Sequence, residues 1–352
     1  MVANPPAARN LFERRRALLT HHPTRRVTLQ HVADRAGVSI ATASRALAGS
    51  VASAASAERV LAAATELGYI PNEAARSLRA DRTMTIGVAF FSLKLPGGLD
   101  MLEGLSRAFD ERGYTLLIAD TGAERARFDT ILSRFLERRV DALVCVNPDG
   151  LGPVLERYSE SAVPAVALIS RGRGATRLPL ISPSLEPAAG DALRRLERLG
   201  HRRVALMLPG GETGAFRSIW RLVRTTALEA VGMDPFAAGF SVRRAAETFR
   251  EAGGPTAVLT TYPIALQLLR ACREQHIAVP RGLSVAAISD EPELSEMLET
   301  PLSAINVDMA AFGLAAGKLV LEWLAGTAPA RTTLVPVSNW IDRATTGPPR
   351  GS

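Results

Sequence analysis

The chain has 352 residues, 47% hydrophobic, 22% charged and 5% aromatic, a length that holds two or three domains and a sizeable core. No apolar run approaches the roughly 18 residues that span a bilayer, and Arg14, Arg15 and Arg16 have no apolar stretch behind them, so neither a membrane span nor a secretory signal is expected. The net charge of +7 is concentrated at one end: residues 1–82 hold 12 arginines against 6 acidic residues, whereas residues 83–352 hold 30 basic against 29 acidic. Such a segment suits a polyanion, nucleic acid first and anionic lipid second.

Residues 1–26 read as a basic, flexible arm with one helical turn around 11–19, too short and too weakly amphipathic to hold a membrane. Three short helical patterns follow between Thr28 and Leu67. Thr28 caps the first, which places Leu29, Val32 and Ala36 on one face. Gly37 takes the turn. Ser39 caps a second helix that runs to Leu47, with Ala33 and Ala36 allowing a close crossing and Val38 and Leu47 supplying the shared core. This arrangement is a helix-turn-helix, whose second helix enters the major groove with its N-terminal residues at the base edges. Ile40 and Ala41 point outward near its start, where apolar side chains suit thymine methyls, and the forked guanidinium of Arg45 suits guanine. The Ser39 hydroxyl serves as a cap alone or as a cap that also meets a phosphate.

A third helix is capped by Ser53 or Ser56, carries Val60, Leu61, Ala64 and Leu67 inward, and stops at Gly68-Tyr69-Ile70-Pro71. Asn72 caps one further helix over 73–79, which at two turns needs a partner, either its twin in a dimer or DNA.

From Thr83 onward, apolar runs at 86–91, 115–119, 142–146, 165–169, 204–208, 258–261 and 284–288 alternate with helical patterns at 98–112, 125–138, 188–199, 215–231 and 264–275. The alternation predicts parallel sheets built from βαβ units with both faces covered. The expected fold is therefore an all-α helix-turn-helix headpiece and hinge helix, followed by an α/β core of two doubly wound subdomains facing a cleft, with ligand at the carboxyl ends of the strands.

Enzyme signatures are missing: there is no HExxH, P-loop, GxSxG or nucleophile triad. His201 follows a helix end, where a cation is favourable without catalysis. Five histidines without metal spacing, and Cys145 and Cys272 far apart in apolar contexts, give no metal site, disulfide framework or cofactor, and suit a reducing cytoplasm.

The runs VTLQHVADRAGVSIATASRAL, ERVLAAATELGYIPNEAARSL and TIGV resemble the headpiece, hinge and core start of the lac-repressor (LacI/GalR) family of bacterial regulators. Weaker likeness continues through Val163-Pro164, the segment 199–204, Pro255-Thr256-Ala257 and the closing 343–347. The resemblance implies a cytoplasmic, periplasmic-binding-protein-like transcriptional repressor, nucleoid-associated when bound to DNA. It implies a homodimer on a near-palindromic operator, modulated by a small-molecule effector. It divides the chain into an arm (1–26), headpiece (27–71), hinge (72–82), two-lobed core (83–347) and tail (348–352). Within the core, the N-subdomain covers about 83–183 and 307–337, and the C-subdomain about 184–306 and 338–347.

By the same resemblance, Ile40, Ala41 and Arg45 read bases, while Thr28, Ser39, Thr42, Ser44, Ser56 and Asn72 belong to the DNA face. Leu78 wedges into the minor groove with Ala75 beside it. The loop 48–52 is about one residue short for the family, and Ala57 stands where a basic residue is usual. At the effector site Phe91 and Ser92 reach the cleft mouth, Ser184 replaces a usual Asp, and Tyr262-Pro263 replaces an Asn-Asp pair. Ser289-Asp290 keeps only the second of two acids, and Val307 replaces a frequent Gln. Arg217 or Arg221 fills the helix-arginine role, with Trp220 in register. So few directional polar groups disfavour a simple neutral hexose and point to a less hydroxylated or partly apolar ligand, anionic if an arginine faces inward. Two alternatives stand: an effector-independent regulator with a degenerate cleft, or a two-lobed small-molecule-binding protein.

Overall fold

The computed structural model describes residues 27–47, 53–69, 82–94, 96–122, 124–147, 152–159, 161–169, 177–209 and 216–350. It divides into two units, residues 1–80 and 81–352. The arm and the hinge residues Asn72, Ala75 and Leu78 lie outside the described residues.

The first unit contains α1 (Leu29–Ala36), α2 (Ile40–Leu47) and α3 (Ala54–Leu67). Their core is built from small side chains: Val32, Ala33, Ala36, Ala43, Ala46, Val60 and Ala63 are buried, with Val27, Leu29, Val38, Leu47, Ala64 and Leu67 packed around them. Small residues bring helix axes close, so a short chain closes a core with little apolar bulk. Leu61 departs from the sequence expectation and is 53% exposed. Its place is taken by Ala63, because positions 60, 63, 64 and 67 follow the helical repeat on one face and 61 falls beside it. Ser53, not Ser56, caps α3, and Gly68 ends it at φ 61°.

The second unit consists of two six-stranded sheets. The first lobe carries β1 (Thr85–Phe90), α4 (Gly98–Asp110), β2 (Thr115–Asp120), α5 (Arg125–Glu137), β3 (Ala142–Val146), α6 (Gly152–Ser159), β4 (Ala165–Leu168) and β5 (Leu180–Pro183). The chain then enters the second lobe through α7 (Glu186–Arg198), β6 (Arg203–Met207), α8 (Arg217–Val223), β7 (Glu229–Met233) and α9 (Val242–Thr248). That lobe continues with β8 (Ala257–Thr261), α10 (Tyr262–Glu274), β9 (Ser284–Ile288), α11 (Pro292–Met297) and β10 (Ser303–Val307). Helix α12 (Met309–Leu324) and β11 (Thr332–Val335) return to the first lobe, and β12 (Ser338–Ile341) ends in the second.

Strand order is β11-β5-β4-β3-β1-β2 in one sheet and β12-β10-β9-β8-β6-β7 in the other. All pairs are parallel except β10–β12. The central strands β1, β3, β6, β8 and β9 are buried along almost their whole length, as sheets covered on both faces require. The expected helix over 215–231 is a correction: α8 ends at Val223, and 229–233 is the edge strand β7. Trp220 packs across Gly232 of that strand, close enough that a Cβ there would lie 2.8 Å from the ring.

The chain crosses between lobes three times, and the crossings are tied together. The Ser184 N–H donates to Val335 O (2.7 Å), Ser338 Oγ donates to Ser184 O (2.6 Å), and the Asp308 N–H donates to Val337 O (2.9 Å). In the first lobe, α4 and α12 touch backbone to backbone: a Cβ on Gly104 would run into Ala310 O, and one on Gly313 into Met101 O. In the second lobe, His201 is a correction to the sequence reading. It is 1% exposed, with Nδ1 2.7 Å from Thr256 Oγ1 and Nε2 3.1 Å from Ser284 Oγ and 2.9 Å from Gly347 O. Burial pushes its pKa down, so it is a neutral strut joining β6, β9 and the C-terminal segment rather than a helix-end cation.

Candidate nucleic-acid interface and interlobe cleft

The headpiece geometry follows from its caps. Thr28 Oγ1 accepts the His31 N–H (3.5 Å) while the Thr28 N–H donates to His31 Nδ1 (3.2 Å), a reciprocal box in which histidine takes the place of the usual Glu or Gln. Gly37 ends α1 at φ 64°, and the Val38 N–H reaches back to Ala33 O (3.0 Å). Ser39 then starts α2 by accepting the Thr42 N–H at 3.1 Å, and its Oγ lies 2.9 Å from Thr42 Oγ1.

These contacts turn Ala43 and Ala46 inward and leave Ser39, Ile40, Ala41 and Arg45 exposed, with Thr42 and Ser44 half-buried beside them. Ile40 is 45% exposed at the first position of α2. Thr28 is exposed, and Ser56 is half-buried with its hydroxyl bonded to Ser53 (2.9 Å). An exposed ion pair, Arg35–Glu66 at 2.7 Å, ties the end of α1 to α3 and raises the Arg35 pKa.

In the core, the residues singled out for a ligand separate into two groups. Phe91, Ser92, Tyr262 and Ser289 stand at the carboxyl ends of β1, β8 and β9. Phe91, Ser92 and Ser289 are half-buried there, and Ser92 Oγ accepts the Lys94 N–H (3.2 Å). Tyr262 is 4% exposed; its hydroxyl makes no hydrogen bond of normal geometry among the described residues, although the Ser295 side chain stands beside it, and burial raises its pKa. An orphaned buried hydroxyl is costly unless something else satisfies it. The chain leaves β3, β4 and β9 through Asn147, Ile169 and Ser289 at φ 52°, 53° and 68°. Such backbone is uncommon for non-glycine residues and gathers at functional clefts.

The second group is spread between the interior and the surface of the core. Asp290 is buried, with Oδ1 accepting from Ser295 Oγ (2.6 Å) and Oδ2 from Arg343 Nη2 (2.8 Å), while Arg343 Nη1 also donates to Leu302 O (2.7 Å). Trp220 belongs to the core of the second lobe, 7% exposed. Ser184 is half-buried, and its backbone is engaged in the crossings. Arg217 and Arg221 are exposed on α8. Sequence reasoning missed Arg343 because its partner stands 53 residues away; it also missed Glu291, which accepts the Gly97 N–H from the opposite lobe at 3.0 Å. Among the described residues, no group of three or more His, Cys, Asp or Glu residues is placed to hold a metal ion, and no helix is long and apolar enough to cross a membrane.

Comparison with known proteins covers both units. Residues 28–72 match the bacterial regulatory proteins of the lacI family. Residues 83–217 match the periplasmic binding proteins and sugar binding domain of the LacI family, and residues 193–346 a periplasmic binding protein-like domain. An HTH-type transcriptional regulator in the aml 5′ region of Streptomyces limosus is 30% identical over 87% of this chain and 91% of its own length. The lactose operon repressor of Escherichia coli is 29% identical over 91% of both chains. A crystal structure of the lac repressor dimer bound to operator and the anti-inducer ONPF superposes with a TM-score of 0.78 at 27% identity, covering 91% of this chain and 99% of that one. A capped helix pair with an exposed leading edge, joined to a two-sheet core, thus has regulators rather than enzymes as its relatives, and the chain belongs to the LacI/GalR family of DNA-binding transcriptional regulators.

Proposed function

We propose that the protein is a homodimeric repressor that binds a near-palindromic operator, one helix-turn-helix per half-site, with operator affinity set by a small molecule in the interlobe cleft. The observation that carries this reading is the leading edge of α2, where Ile40, Ala41 and Arg45 are exposed above a core of alanines and valines. An exposed isoleucine at a helix start gains nothing in water and fits a thymine methyl in the major groove. Ser39 and Thr28, at helix N-termini, suit backbone phosphates.

A second copy is supported by large apolar side chains left in solvent on each lobe: Leu99 (69%) and Ile118 (40%) on the first, Leu294 (56%) and Met297 (81%) on the second. Two buried thiols, held protonated by burial with pKa values pushed up to about 12 for Cys145 and about 11 for Cys272, suit a reducing cytoplasm. In the cleft we assign Phe91, Ser92, Tyr262 and Ser289 to the effector. Asp290 is bound internally by Ser295 and Arg343; Trp220 is buried in the second lobe's core, as Tyr262 is, and its indole N–H likewise has no hydrogen-bond partner among the described residues. With an aromatic ring, a phenol and two hydroxyls, the set suits a partly apolar ligand. Each unmatched hydroxyl of a neutral hexose would cost about 1–3 kcal/mol.

Purified protein should retard DNA carrying its own upstream region, with affinity falling steeply as salt is added. Arg45→Ala should weaken discrimination between sites by about 1–3 kcal/mol. Retardation of all DNA alike, unchanged by Arg45→Ala, contradicts the reading. Tight calorimetric binding of a neutral monosaccharide contradicts the effector class alone.

A further inference from the structure

The loop after β9 is built to hold one side chain across the cleft. Ser289 turns it at φ 68°. Asp290 is then fixed by Arg343 and Ser295 beneath the surface. Glu291, the next residue, is the N-cap of α11 but makes no side-chain cap to that helix. Its Oε1 instead accepts the Gly97 N–H from the first lobe at 3.0 Å. Gly97 is the N-cap of α4, at φ 66°, and has no side chain with which to cap it. Asp100, at the third helical position, is the residue that would close a capping box, yet it is exposed and Gly97 is served from the other lobe.

Steric fit adds to the contact. A Cβ at Gly97 would lie 2.5 Å from Met309 Cγ, at the start of the helix that follows the second crossing. The glycine is therefore required by its positive φ and by the approach of α12 together. A carboxylate at the positive end of a 13-residue helix is favourably placed, and its hydrogen bond is charge-assisted.

We propose that Glu291 is an interlobe latch: it caps α4 from the opposite lobe and holds the core closed without a ligand. The three crossings set where the lobes hinge, and Glu291 biases how far they open. Losing one charge-assisted bond should lower the closed-to-open ratio by about tenfold or more.

The test is a distance measurement on the full-length protein by pulsed electron spin resonance. Nitroxides go on Glu124→Cys and Phe236→Cys, exposed positions just past the carboxyl ends of β2 and β7. The native cysteines are 0% and 1% exposed and stay unlabelled. With labelled chains diluted into an excess of unlabelled ones, so that each dimer carries at most one labelled protomer, a single narrow distance is expected while Glu291 is intact. Glu291→Ala should shift the distribution toward longer distances, and Glu291→Asp should do the same because it is one methylene too short. Glu291→Gln, which keeps an acceptor oxygen without the charge, should fall between. Distributions for Glu291→Ala and Glu291→Asp that superimpose on the parent overturn the latch.

Discussion

The headpiece and the core treat their distinctive side chains in opposite ways. In the headpiece a core of alanines and valines supports an outer face where Ser39, Ile40, Ala41 and Arg45 stand exposed. In the core four distinctive side chains turn inward: Asp290 pairs with Arg343, His201 bridges three segments, and Trp220 covers Gly232. A surface that reads a long polyanion needs exposed groups on a rigid base, whereas a lobe that moves as one body needs internal ties. The contrast predicts that core substitutions act on stability and headpiece substitutions act on binding.

Arg343→Ala should have the largest effect. It leaves the buried Asp290 carboxylate with only Ser295, and breaking such a pair costs about 3–5 kcal/mol, measured as a lower urea midpoint. Next comes Gly313→Val, which drives a side chain into the Met101 carbonyl and separates α4 from α12. Overpacking of that kind costs about 1–3 kcal/mol, measured by thermal unfolding. His201→Ala should cost about 2 kcal/mol through the partners left in Thr256, Ser284 and Gly347.

The His201 pKa is lowered in the folded state, so the unfolded chain takes up its proton first as pH falls. Stability is full above the ordinary histidine pKa of about 6.5 and declines below it. That part of the acid loss should be missing in His201→Ala when urea midpoints are compared at pH 7.5 and 5.5. Arg45→Ala should leave the midpoint within about 0.5 kcal/mol; a large loss there breaks the contrast.

What the sequence made legible follows the range of the interactions. The headpiece is written locally: Thr28, Gly37 and Ser39 are caps and turns whose partners lie within a few residues. Six of the eight inner strands announced themselves as apolar runs, with 142–146 and 284–288 matching β3 and β9, whereas β5 and β10 gave no such run. Among the edge strands β2 was visible at 115–119, but β7, β11 and β12 were not. β7 has no fully buried residue and contains Gly232, so its pattern merged with the helix before it. The four-residue strands β11 and β12 are too short to show a period. In the cleft the residue types were visible but not their partners, because Arg343 and Gly97 reach Asp290 and Glu291 from 53 and 194 residues away.

The most direct test exchanges Ile40 and Ala41 for other side chains and selects bound sequences from DNA with randomised half-sites. The account predicts new preferred bases at the positions under the start of α2 in both half-sites, with the unfolding midpoint and the salt dependence of binding unchanged. The same preferred bases, selected with the same discrimination as by the parent protein, would contradict it.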